Sequence, residues 1–335
     1  MANLPLLPDL APMLVGIARL ASEGESLRQG HKVEYFTLPV RSLLNHCSVN
    51  RMPFTWTINP YRGCEFACKY CYARYTHEFM EMRGSLEFEQ KIFVKQHAAD
   101  LLRQELRQVQ PGEEIAIGTA TDPYQPAERC FEVTRAILEE FTKHRGYEIE
   151  IVTKSNLVLR DTELLRRISK RNKLFVNLTI TTLKEDLARL LEPRAPRPDL
   201  RLEAVRTLNQ AGVDAGVICA PVLPDITDSP QDLEALVRAT AEAGGKYIFV
   251  NSLFLKPCSA AVFLPFLAKQ FPHLADSYRQ RYKERAFLSS SYRNWLSLLM
   301  GRLRRKYGIR SNYDGDSKRS HPPPSREIEG QLSLF

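Results

Sequence analysis

Cys64, Cys68 and Cys71 stand within the run NPYRGCEFACKYCYAR, a C-x3-C-x2-C spacing that sets three thiols on one short loop. Thiolates are the usual holders of iron–sulfur clusters, and a 4Fe-4S cube has four irons to ligate. Three cysteines therefore leave one iron open, and an open metal position can bind a substrate or cofactor directly. A structural zinc site would instead close its shell with a fourth Cys or His. His77, separated from Cys71 by five residues, stands at a workable spacing for that alternative.

Such a loop needs a rigid frame beneath it. The 335 residues are enough for one large barrel or two modest domains without disulfide staples. Seven cysteines is an odd count, and three of them form a metal-type motif, so a reducing, cytoplasmic setting is expected. The opening stretch MANLPLLPDLAPMLVGIARLAS is broken by prolines and Asp9 and lacks a basic lead, so neither a signal peptide nor a membrane span is expected. The formal net charge is +8, and it is uneven: between Asp276 and Arg326 there are thirteen Lys/Arg against four Asp/Glu. A basic C-terminal face favours a polyanionic partner, nucleic acid above others.

Strand-like runs at 54–58, 115–119, 148–153, 174–181, 213–221 and 247–255 alternate with helix-like runs at 96–108, 130–144, 161–171, 200–211 and 231–243. Six strands interleaved with helices imply parallel βαβ units. Ser229 or Asp228 can cap the last of these helices, and Gly146, Gly212 and Gly244 sit where helices should stop. Residues 1–50 read as a peripheral lead-in with a strand at 33–38. Residues 51–256 read as the barrel. Residues 257–313 read as a basic helical region, with helices at 260–270, 274–287 and 292–307. The polar run 314–330, with Pro322, Pro323 and Pro324 in succession, is expected to be a flexible linker.

The cysteine run resembles the cluster loop of the radical S-adenosylmethionine (SAM) superfamily. That resemblance implies a 4Fe-4S cluster held by Cys64, Cys68 and Cys71, with SAM on the open iron. It also implies a partial (β/α)6 barrel, an external electron donor, and reductive cleavage of SAM to a 5′-deoxyadenosyl radical. Tyr70 matches the aromatic that the superfamily carries before the third cysteine, near the adenine. Over about 54–256 the runs GTATDPYQPAE, TKS, LTITT, LEPRAPRPDLRLEAV and APVLPDITD are also similar to the spore photoproduct lyase-like group, often labelled DNA repair photolyase. By that resemblance Thr121 and Thr179 contact SAM, and Lys154 pairs with its carboxylate.

One position departs from the group. Spore photoproduct lyase carries a hydrogen-returning cysteine three residues before the aspartate that Asp122 matches, and here that position is Thr119. A hydroxyl O–H bond is too strong for that task, so the spore lesion is disfavoured as substrate. Cys130 and Cys258 are the replacement candidates. Asp122 reads as a substrate-facing or loop-ordering group, and Glu192 with Arg194 as a structural ion pair.

The final residues Gln331, Leu332, Ser333, Leu334 and Phe335 resemble the peptide by which bacterial polymerases and repair proteins dock on the β sliding clamp. An apolar anchor on an extended tail suits such a groove, and the linker before it would span roughly 20–25 Å as a coil. Together these features imply a radical SAM enzyme acting on DNA, in lesion repair or base modification, tethered to the clamp. The alternatives are modification of RNA or protein, and a metal-bearing clamp adaptor without turnover.

Overall fold

The computed structural model describes residues 14–30, 32–47, 53–84 and 86–311. Within them eleven strands follow in order: β1 Ser26–Gly30, β2 Val33–Leu38, β3 Leu44–His46, β4 Trp56–Ile58, β5 Tyr61–Arg62, β6 Lys91–Lys95, β7 Glu114–Ile117, β8 Glu148–Thr153, β9 Lys173–Thr179, β10 Asp214–Val222 and β11 Ile248–Ser252. The larger sheet has the order β11-β10-β9-β8-β7-β4-β3. Its six strands β4 and β7 to β11 are all parallel, and β3 closes one edge antiparallel. This is the partial (β/α)6 barrel expected for the parallel strand set.

The reason is visible strand by strand. β7 is buried at all four positions, and β9 at all but its first. Strands covered on both faces belong to parallel sheets with helices packed outside. Between strands run the helices Val133–Phe141, Thr162–Ser169, Pro198–Gln210 and Pro230–Glu242. Ser229 does cap the last of these, accepting the Asp232 N–H at 3.1 Å. Isoleucines 58, 115, 117, 149 and 151 and Val176, Leu178 and Val217 fill the core between sheet and helices.

Two helices differ from expectation. The run 130–144 is split at Glu132, whose φ is 49°. The Glu128 carboxylate reaches past the break and accepts the Thr134 and Arg135 N–H groups at 2.9 and 3.0 Å, which starts a fresh helix. The run 274–287 stops as Ala275–Arg281. Beyond it the Leu255 N–H donates to the Ala286 carbonyl at 2.9 Å, so Phe287 lies beside Phe254 in a β-bridge.

A smaller sheet, β1-β2-β6-β5, was not foreseen beyond β2. It joins the early chain to the segment just before and after the cysteine loop. The C-terminal helices Pro257–Gln270 and Ser290–Tyr307 pack against the loop and against β11 respectively. Among the described residues no helix is long and apolar enough to cross a membrane. The linker and terminal peptide, 314–335, lie outside the described residues.

Candidate active site at the strand ends

The cysteine loop leaves β5 at the top of the barrel, and the chain requires a glycine there. Gly63 has φ +83°, and a Cβ on it would meet the Lys91 carbonyl oxygen at 2.6 Å. The loop is then gripped from three sides. From the end of β7, Thr121 Oγ1 donates to the Gly63 carbonyl at 2.6 Å and Gln125 Nε2 donates to the same oxygen at 3.1 Å. Gln125 Oε1 accepts the Glu65 N–H at 3.0 Å, and the Glu65 carboxylate accepts the Ala127 N–H at 2.8 Å. From the far side of the barrel, the Lys69 N–H donates to the Leu191 carbonyl at 2.9 Å. From below, Arg74 is buried in an ion pair with Glu89 and donates to the Cys68 carbonyl at 3.2 Å.

Cys64 and Cys68 are buried and Cys71 is half-buried. Burial raises all three thiols, Cys68 to about 12. For Cys64 the next contributors are the charges of Asp122, Cys68 and Cys71, which places the three sulfurs and this carboxylate in one neighbourhood. Among the described residues no set of three or more His, Cys, Asp or Glu side chains is gathered as a finished metal cage. The donor chemistry nevertheless fits an iron–sulfur group: three thiols on one clamped loop, with the Lys154 cation close enough to favour the Cys68 thiolate. Binding as thiolates would expel their protons. His77 does not join them. Its Nε2 faces the Lys91 carbonyl at 3.1 Å, and its ring packs edge-on to Phe88 and Phe93. Burial holds it neutral, with its pKa lowered to about 4.

Asp122 orders the strand ends. Its Oδ1 accepts the Tyr124 N–H at 2.9 Å and the Thr153 hydroxyl at 2.6 Å, and its Oδ2 accepts the Lys154 N–H at 2.7 Å. Burial raises its pKa against these bonds. Lys154, at the end of β8, holds its ammonium 5.8 Å from the Tyr70 ring centroid. Burial pulls this ammonium down, but Cys68, Glu192 and Asp122 outweigh it and keep the charge on. Thr179 is buried at the end of β9, and its carbonyl accepts the Arg201 guanidinium at 2.9 Å.

The expected pair Glu192–Arg194 does not form. Glu192 is bound to Arg201 at 2.6 Å, with both side chains fully enclosed, and Tyr70 donates its hydroxyl to the same carboxylate. Burial alone would raise Glu192, but Arg201 and then Lys154 carry it below the usual carboxylate range. Arg194 turns away to the Glu89 carbonyl at 3.5 Å. Arg201 was missed, although it was legible: it shares the inward stripe of its helix with Pro198, Ala204, Val205 and Leu208. An arginine on an apolar stripe needs a buried acid.

The two spare thiols part company. Cys130 is exposed, and its sulfur accepts Arg28 at 2.9 Å, on the side of the small sheet. Cys258 begins the helix over the cysteine loop, with its sulfur 3.9 Å from the Tyr72 carbonyl. Thr119 meets Tyr72 as well: its carbonyl accepts the Tyr72 hydroxyl, and its Oγ1 accepts Asn59 Nδ2 at 3.2 Å. Tyr72 starts a row of rings. Its centroid is 6.4 Å from Phe254, which stacks on Phe287 at 4.5 Å.

A family model described as the radical SAM superfamily matches residues 58–239. An uncharacterized protein of Mycobacterium tuberculosis is 34% identical over 287 residues, covering 85% of this chain and 83% of its own length. An uncharacterized protein of Methanocaldococcus jannaschii is 29% identical over 241 residues, covering 72% and 85%. Among solved structures, a spore photoproduct lyase double mutant with bound AdoMet and dinucleoside spore photoproduct superposes with a TM-score of 0.63. It covers 82% of this chain and 79% of its own at 16% identity, which is a likeness of fold.

Proposed function

The chain belongs to the radical SAM superfamily, and from that premise we propose that it modifies or repairs nucleic acid, DNA in the first place, while tethered to the sliding clamp. Membership implies a 4Fe-4S cluster and SAM, and Cys64, Cys68 and Cys71 are the residues that would hold the cluster. When bound, the cluster and SAM supply a one-electron cleavage of the sulfonium to a 5′-deoxyadenosyl radical, a reactivity that belongs to the cofactors. The protein's part is placement. Thr121 and Gln125 fix the loop through the Gly63 carbonyl, and Asp122 fixes the backbone from which Lys154 projects. Lys154, charged and beside Tyr70, would meet the SAM carboxylate, with Tyr70 and Thr179 bounding the same space.

The row of rings carries the choice of nucleic acid. Tyr72 and Phe287, at its two ends, are 42% and 43% exposed. Lys256 stands 3.9 Å from the Tyr75 centroid and 5.7 Å from Phe254, and Arg279, Arg281, Lys283 and Arg285 lie in the segment leading to Phe287. Aromatic faces among cations suit unpaired bases and their phosphates. Cys258 is the hydrogen-donor candidate preferred over Cys130, because it adjoins Tyr72. Gln331–Phe335 would raise the local concentration on clamp-loaded DNA.

The test is anaerobic reconstitution with iron and sulfide, then reduction with dithionite in the presence of SAM. The wild type should bind about four irons and release 5′-deoxyadenosine, faster with single-stranded or lesion-bearing DNA. Cys64→Ala should lose both properties while keeping its circular dichroism. A colourless protein with a single bound ion would overturn the enzyme reading. Turnover stimulated by RNA or a peptide, and not by DNA, would overturn the substrate.

A further inference from the structure

Beside the cysteine loop, and separate from the residues assigned to SAM, lies a cleft of about 290 Å³ including its open mouth. Arg62, Lys95, Asn45, Asn59 and Thr76 line it, and Ala120 closes one wall, one residue past Thr119. Its chemistry is one-sided. Thr76 spends its hydroxyl on the Ala73 carbonyl at 2.8 Å. Asn59 is used at both ends, on Thr119 and on the Ala120 N–H. The Asn45 amide donates to the Leu43 carbonyl at 3.2 Å. The basic groups are the ones left short of partners. Arg62 Nε is buried without a partner, and its guanidinium makes one long contact, 3.4 Å, to the Thr76 carbonyl. Lys95 is 6% exposed, and among the described residues no carboxylate comes within ion-pair distance of it. The acid that it feels, Glu105, has its Oε2 committed to the Leu43 and Leu44 N–H groups at 2.9 and 2.8 Å.

Two buried basic groups side by side, with only Lys95 feeling a nearby carboxylate, are costly to keep charged. Both come from one strand pair: β5 and β6 set Arg62 opposite Phe93, and the Lys95 N–H donates to the Pro60 carbonyl at 3.3 Å. The sheet that the sequence did not announce therefore aims both cations into one cleft. Two basic donors side by side repel a cation and suit an oxyanion. An arginine edge beside a lysine point charge suits phosphoryl oxygens.

We propose that the Arg62–Lys95 cleft is a phosphate-binding site at the mouth of the barrel, which seats a phosphoryl group of the substrate next to the end of β7. It requires no turnover, so its failure would leave the SAM-cleavage reading standing, and the reverse holds too.

The experiment is thermal unfolding of the full chain in inorganic phosphate against chloride at matched ionic strength, for wild type, Lys95→Met and Arg62→Gln. Phosphate should raise the wild-type midpoint in a saturable way and leave both variants unmoved. Repeating it with thymidine 5′-monophosphate, thymidine and a 5′-phosphorylated single-stranded 12-mer identifies the source: a nucleotide site responds to the monophosphate, a strand site to the 12-mer alone. Equal responses of wild type and Lys95→Met, or equal effects of chloride and phosphate, would overturn the proposal. If Lys95→Met does not fold, Arg62→Gln decides in the same way.

Discussion

Replacing Lys95 by methionine should stabilise the fold, and the gain should shrink as pH rises. Lys95 is almost wholly enclosed, and burial first, then the charge of Arg62, lower its pKa from 10.5 to about 7 against the pull of Glu105. The unfolded chain holds this proton up to 10.5, whereas the folded chain gives it up near 7. Between those values the unfolded state binds more protons, so stability rises with pH. Each pKa unit is worth about 1.4 kcal/mol, so a gap of roughly three and a half units is a penalty of about 4–5 kcal/mol below pH 7. From pH 7 to pH 9 about 2 kcal/mol of it should be recovered, since the folded lysine is half-protonated at the start of that window. Methionine keeps much of the stem's volume and carries no charge. Urea unfolding of wild type and Lys95→Met at pH 6, 7, 8 and 9, in phosphate-free buffer with reductant, reads the difference directly. Groups common to both chains cancel. The variant should lead by several kcal/mol at pH 6, with the lead narrowing by about 2 kcal/mol between pH 7 and pH 9. A lead that does not change with pH, or a variant less stable at pH 6, refutes the reasoning.

Glu192→Gln leaves Arg201 as a buried charge without its acid, so unfolding free energy should fall by about 3–5 kcal/mol; a loss under about 1 kcal/mol by urea titration would mean that Arg201 finds another partner. Phe287→Ala removes one exposed end of the ring row, and fluorescence anisotropy with a single-stranded oligonucleotide should show binding weaker by about 1–3 kcal/mol, the range for one stacked base; unchanged affinity would take this platform out of the nucleic-acid reading. Deleting residues 331–335 should abolish retention on immobilised sliding clamp without altering iron content, and equal retention of both chains would remove the tether.

Much of the frame was legible because runs rich in β-branched residues alternate with runs of helical periodicity. The strand at 148–153 is found with its expected ends, and those at 174–181 and 213–221 to within two residues. The family was legible from the cysteine run and the residues around it, and a family model matches residues 58–239. What escaped were pairings between distant residues, which no local pattern encodes. Arg194 is only two residues from Glu192 in sequence, yet the helix Pro198–Gln210 carries Arg201 inward and wins the contact. The small sheet escaped because β5 has two residues and β1 is a polar run, SLRQG. The split at Glu132 escaped because a carboxylate four residues upstream supplies the second helix start.

The same distant pairings explain why the position ahead of Asp122 matters without a thiol. Thr119 gives its hydroxyl oxygen to Asn59 and its carbonyl to Tyr72, so it joins the end of β4, the end of β7 and the residue after Cys71. Asp122, three residues on, joins that same turn to the end of β8. The turn thus ties the cysteine loop on one side and Lys154 on the other, and Ala120 within it also walls the Arg62–Lys95 cleft. Loop, lysine and cleft are fixed relative to one another by five consecutive-numbered positions, 118–122. Gly118 opens that turn with φ +91°, where a Cβ would meet the Pro123 ring at 2.5 Å and the Val152 carbonyl oxygen at 2.6 Å. A side chain there would push β7 from β8 and disturb all three at once, which is why this short turn, rather than any single polar residue, sets the geometry of the site.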